Sequence, residues 1–138
     1  MVEKAVILAA GSASRMQKNL ERYVKNADEL DAVRRGEKMA LRFENFPFLD
    51  YQLLNLATSG IHRVNIVIRP DEEFFRPYYD AYGALLFPEI EISFSYQHTA
   101  DGTAHALYAA REFIGDTRFI LLNGDNNYSA NAIGMLLH

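Results

Sequence analysis

Cysteine is missing from the chain altogether, which excludes both a disulfide framework and a thiolate metal site. Long runs of lysine and arginine are missing too, and the net charge is −4. That excludes nucleic acid held by bulk electrostatics, although it leaves room for a local cationic pocket. No stretch approaches the roughly 20 consecutive apolar residues that a membrane span needs, and the N-terminus lacks the pattern of a signal peptide. The expected address is therefore cytoplasmic, with no membrane partner. Internal repeats and low-complexity tracts are also lacking. What is there is a 138-residue chain, 49% hydrophobic and 23% charged, suited to one soluble domain with a sizeable core.

Apolar runs alternate with helix-like stretches. Residues 5–10 are apolar on both parities and predict a buried strand. In "DYQLLNLATSGI", Leu49, Leu53 and Leu56 recur at helical spacing, with Pro47 expected in the first turn and Gly60 just past the end. "RVNIVIRP" predicts a second strand, and "DEEFFRPYYDAYG" a helix with an aromatic core-facing stripe. "EIEISFSYQ" alternates apolar and polar residues, which predicts an edge strand with one wet face. "GTAHALYAAREFIG" reads as a helix, "RFILLNGDN" as a fourth buried strand, and a last helix starts near Ser129. This alternation implies an α/β fold: a doubly wound, open parallel sheet with strand order 3-2-1-4. Ligands of such sheets bind beyond the carboxyl ends of the strands, where the connections change direction. That places "GSASR" and "GDN" side by side.

The turn after the first strand, Gly11, Ser12, Ala13 and Ser14, keeps almost no side chain and leads into Arg15. Small residues let an anion approach backbone N–H donors closely, and a guanidinium adds a planar fork for phosphate oxygens. The plain alternative is an ordinary strand-to-helix turn with a solvated arginine. Residues 17–37 are long, charged and without a clear apolar face, which suggests an insertion or lid. The C-terminal "MLLH" ends on apolar residues, as if cut from something longer.

Four segments together resemble the N-terminal part of the sugar-phosphate nucleotidyltransferases, the nucleotide-sugar pyrophosphorylases. "LAAGSASRM" is similar to their LAAGxGxRM motif, and "KMALRFENFPFLDYQL" to their KPLLPVGGKPLLEYQL-type segment. "QHTADGTAHAL" is similar to a Q-x4-G-T-A-H-A-L segment, and "LLNGDN" to a strand-end GD motif. The resemblance implies a Rossmann-like half-domain spanning 1–138, interrupted by 17–37. It implies metal-dependent nucleotidyl transfer from UTP or dTTP to a sugar 1-phosphate, with pyrophosphate released.

The same resemblance assigns roles by position. Leu8, Ala9 and Ala10 lead into the phosphate turn. Arg15 would bind the β- and γ-phosphates, and Lys38 the α-phosphate or the sugar phosphate. Gln97 and Gly102 would read the base, Thr103 would open the following helix, and Asp125 would hold Mg²⁺, a cation suited to one or two carboxylates plus phosphates. Each has a plainer reading: Asp125 as a turn former, Gln97 and Gly102 as a strand end and turn, Lys38 as a surface lysine. His105 reads as a packing residue, and Asn126 and Asn127 as turn residues. The implied partners are a nucleoside triphosphate and a sugar 1-phosphate. A homo-oligomer is compatible with the sequence. Two alternatives stand beside this reading: a different phosphomonoester acceptor such as phosphocholine, or a nucleotide-binding module without catalysis. The second is motivated by Ala13, which stands where the family has glycine, and by the 17–37 stretch. The acceptor pocket and a second metal carboxylate are expected beyond residue 138, so these residues alone are expected not to turn over.

Overall fold

A computed structural model of the chain describes residues 2–10, 42–43, 46–99, 101–126 and 128–137. Strand β1 is Lys4–Leu8. Arg42–Phe43 (β2) and Phe46–Pro47 (β3) pair as a small antiparallel ribbon. Helix α1 spans Phe48–Thr58, strand β4 Arg63–Ile68 and helix α2 Phe75–Leu86. Strand β5 is Glu91–Tyr96, followed by the short helices α3, Thr103–Ala109, and α4, Arg111–Ile114. Strand β6, Phe119–Asn123, and helix α5, Ala130–Leu137, complete the described part. The expected lid at 17–37 lies outside the described residues.

The main sheet has the order β5-β4-β1-β6, and every neighbouring pair is parallel. In terms of the four strands read from the sequence this is 3-2-1-4, as the alternation predicts. Leu8 stands level with Val67 and Asn123, so the carboxyl ends of β4, β1 and β6 finish together. The period of two along β1 sends alternate side chains to opposite faces. Ala5 and Ile7 join Leu49, Leu53 and Leu56 of α1, Phe75 and Tyr79 of α2, and Ile133 of α5 in the larger core. Val6 and Val67 point the other way and pack against Ala106 of α3 and Ala110 at its end. Helices on both faces explain why β1 and β4 are apolar on both parities.

Four local expectations are corrected. Pro47 sits in β3, just before α1, rather than in the helix's first turn. The alternating β5 is the sheet edge, but its second face is not wet: residues 92–96 are all half-buried. The cause is α3, which covers that face; beneath it Asn65 Nδ2 donates to Ser93 Oγ at 3.0 Å. Conversely, β6 is not buried throughout. It lies at the other edge, and Leu121 remains 39% exposed. The single helix expected after Gly102 is two helices, broken at Ala110.

Helix α1 is fastened at its start as well as by its leucines. Asp50, in its first turn, is buried and accepts hydrogen bonds from Tyr78 Oη (2.6 Å) and Tyr79 Oη (2.7 Å) of α2. The aromatic stripe of α2 is thus core, as expected, yet its hydroxyls have a specific acceptor. Burial, and then the Asp50 charge, push the Tyr79 phenol well above its usual range. Only Tyr82 of that stripe is exposed.

Candidate active site

The sheet brings three sequence segments to one end. From β1, the Ala9 N–H donates to the Val67 carbonyl at 2.8 Å, and the Leu8 carbonyl accepts from the Gly124 N–H at 2.9 Å. The second bond ties the turn after β6 directly to the strand that leads into the small-residue turn. Leu8 is half-buried, and Ala9 and Ala10 are buried. Gly11, Ser12, Ala13, Ser14, Arg15 and Lys38 lie outside the described residues.

The turn 123–126 is tightly organised. The Asn126 N–H donates back to the Asn123 carbonyl at 3.2 Å, which makes Asn126 the turn residue it reads as. Gly124 is buried while Asp125 is exposed. The arrangement pushes the carboxylate out of the strand end toward solvent. Among the described residues there is no cluster of three or more His, Cys, Asp or Glu side chains able to hold a metal by themselves. A hard, exposed carboxylate of this kind suits Mg²⁺, which commonly takes one or two carboxylates and completes its shell with water and phosphate oxygens.

The third segment follows β5. Gln97 is buried, with its N–H donating to the Ile68 carbonyl at 2.9 Å. Its side-chain Nε2 donates to the Gly102 carbonyl at 3.2 Å and lies 3.4 Å from His105 Nδ1. Gln97 and Gly102, paired in the sequence by the family resemblance, are in direct contact. Gly102 has φ 93° and ψ −177°, a conformation open essentially to glycine alone. Thr103 begins α3 as expected. His105, read from the sequence as a packing residue, also helps to orient the Gln97 amide. A carbonyl can only accept, so the Gly102 contact places the NH₂ group there. Among the described residues the Gln97 Oε1 accepts no hydrogen bond.

Sequence reasoning missed Gln52. It is fully buried, and its Nε2 donates to the carbonyls of Asn123 (3.1 Å) and Asn126 (2.5 Å). A signal was present: position 52 falls on the same helical face as Leu49 and Leu56, where an amide is out of place. The described helices include none long and apolar enough to cross a membrane.

Residues 30–137 match the family model described as nucleotidyl transferase. The match begins after the opening turn and contains the Lys38, Gln97 and Asp125 segments. Among curated proteins, the low-salt glycan biosynthesis nucleotidyltransferase Agl11 of Haloferax volcanii is 28% identical over 127 residues, covering 89% of this chain and 30% of that protein. A UDP-glucose pyrophosphorylase solved with UDP-glucose superposes with TM-score 0.67 at 16% identity, covering 99% of this chain and 53% of the other. The inositol-1-phosphate CTP transferase of T. maritima gives TM-score 0.61 at 19% identity, covering 90% and 44%. UTP-bound UGPase of Acinetobacter baumannii gives 0.63 at 18%, covering 88% and 45%. The chain spans less than a third of the curated relative and about half of the solved structures. The solved structures share its doubly wound fold, and with the family model covering well over half of its residues, the chain belongs to the nucleotidyl transferase family.

Proposed function

We propose that the chain forms the nucleotide-binding part of a sugar-phosphate nucleotidyltransferase that uses UTP or dTTP. In this reaction an oxygen of a sugar 1-phosphate forms a bond to the α-phosphorus. The bond from that phosphorus to the bridging oxygen breaks, and pyrophosphate leaves. The nucleophile is already an anion, so no general base is required. Alignment of the partners and neutralisation of charge are what the protein must supply. Arg15 and the Gly11–Ser14 backbone are assigned to the leaving phosphates, and Lys38 to the transferring phosphate or the incoming one. Asp125 is assigned to Mg²⁺, which when bound offsets the negative charge gathering on the phosphate oxygens.

The observation that carries the base preference is the orientation of Gln97. With its NH₂ directed at the Gly102 carbonyl and His105, the side chain has an acceptor to offer. Uracil and thymine carry a donor at N3; cytosine carries an acceptor there. An unmatched polar contact costs about 1–3 kcal/mol, so UTP and dTTP should bind roughly tenfold tighter than CTP or more. A second reading keeps the chemistry and changes the acceptor to another phosphomonoester. The fold shared with the inositol-1-phosphate CTP transferase supports it.

Competition binding with UTP, dTTP, CTP, ATP and GTP tests the base assignment; preference for CTP or GTP would overturn it. Pyrophosphate release with Mg²⁺ and a panel of sugar 1-phosphates, phosphocholine and inositol 1-phosphate separates the acceptors. Nucleotide binding without pyrophosphate release for any acceptor would support the non-catalytic module instead.

A further inference from the structure

We propose that Gln52 is the positioning residue for the Asp125 carboxylate: a single buried amide nitrogen, shared between the Asn123 and Asn126 carbonyls, spans the turn that presents Asp125. The inference rests on the assignment of Asp125 to the metal.

Two polar residues of α1 and one just past its end face the chain from β6 to α5. Gln52 holds the turn, Asn55 Nδ2 donates to the Tyr128 carbonyl at 2.8 Å, and Ser59 Oγ donates to the Ala130 carbonyl at 3.1 Å. Their spacing of three and four residues puts them on one helical face. Of these three, Gln52 is the one whose bonds reach residues 123 and 126, on either side of Asp125; Asn126 Nδ2 also donates to Tyr128 Oη at 3.2 Å. Two backbone bonds also hold the turn, Gly124 N–H to the Leu8 carbonyl and Asn126 N–H to the Asn123 carbonyl. Those two fix the strand side and close the turn. Gln52 adds a side-chain bond to each of the carbonyls of 123 and 126, while Asp125 between them is exposed.

Stability alone does not explain an amide at this place. Gln52 Oε1 is buried and has no hydrogen-bond partner among the described residues. A leucine there would extend the run of Leu49, Leu53 and Leu56 at no such cost. What the amide gives against that cost is a donor shared by two carbonyls of the turn. Side chains that orient a metal ligand commonly change metal affinity by about 10–100-fold when removed.

The test is Mn²⁺ binding in the presence of UTP, followed by the electron paramagnetic resonance of free Mn²⁺, with UTP binding in the absence of metal measured in parallel. Gln52→Met keeps the volume and removes the donor. It should weaken Mn²⁺ binding about tenfold and leave metal-free UTP binding unchanged. Gln52→Asn keeps a buried amide one methylene shorter, and should show the same loss with a smaller effect on folding. Asn55→Ala and Ser59→Ala should lower thermal stability and leave Mn²⁺ affinity at the wild-type value. Asp125→Asn is the reference. If Asp125→Asn loses Mn²⁺ while both Gln52 variants bind it like wild type, the positioning role is overturned. Should Asp125→Asn itself bind Mn²⁺ normally, the metal assignment fails first, and this inference with it. Equal Mn²⁺ losses in the Gln52, Asn55 and Ser59 variants would reduce Gln52 to a general structural role and overturn the proposal.

Discussion

Replacing Asp50 by alanine should destabilise the protein far more than loss of an ordinary surface acid. The carboxylate is 6% exposed and accepts from two tyrosine hydroxyls, at 2.6 and 2.7 Å. Hydrogen bonds to a charged group contribute about 1.5–3 kcal/mol each. Tyr79 is 4% exposed, so its hydroxyl would be left buried without this acceptor, whereas half-buried Tyr78 can turn to water. Counting the first bond in full and the second in part gives a loss of roughly 2–4 kcal/mol. That is a large share of the 5–15 kcal/mol typical of a whole domain. The loss is read as a urea midpoint lowered by roughly 1–2 M at unchanged slope. Asp50→Asn, which keeps the shape and one acceptor oxygen, should lose about half as much. A cycle with Tyr79→Phe should show a coupling of about 1–2 kcal/mol. If Asp50→Ala loses less than about 0.5 kcal/mol, the level of exposed ion pairs, then the α1–α2 contact is not held by this carboxylate.

Two further outcomes follow from the described structure, and a third from the role proposed for Arg15. The folded-state pKa of Tyr79 lies well above the ordinary value of 10.0, so its contribution to stability is complete below pH 10 and declines as pH rises from there toward the folded-state value. Denaturant titrations between pH 8 and pH 11 should show this decline flattened in Tyr79→Phe, and an unchanged slope would count against the burial argument. Gly102→Ala meets no atom within 4 Å of the added methyl, so its cost is backbone strain alone, about 1–3 kcal/mol in unfolding free energy; a neutral result would mean that alanine tolerates φ +93° here. Arg15→Ala should weaken triphosphate binding much more than monophosphate binding in paired titrations, and equal losses would remove Arg15 from the β- and γ-phosphates.

Periodicity was enough to read the doubly wound sheet. Strands apolar on both parities, such as β1, must be covered on two faces, and the leucines of α1 recur where only a helix can align them. The order of the strands was legible because β5 alone alternated. Gln97 and Gly102 were likewise visible as a pair, through the resemblance of their segment to a Q-x4-G-T-A-H-A-L motif. What the sequence could not determine was cross-element contact. The amide of Gln52 gains its meaning from carbonyls 71 and 74 residues away, and Asp50 from hydroxyls 28 and 29 residues away. Ser93 read as solvent-facing, because alternation cannot tell water from a covering helix. These contacts exist only once parallel strands stack β1 beside β6 and the helices are pressed against them. Local pattern therefore decided which elements form, and tertiary packing decided which polar side chains meet.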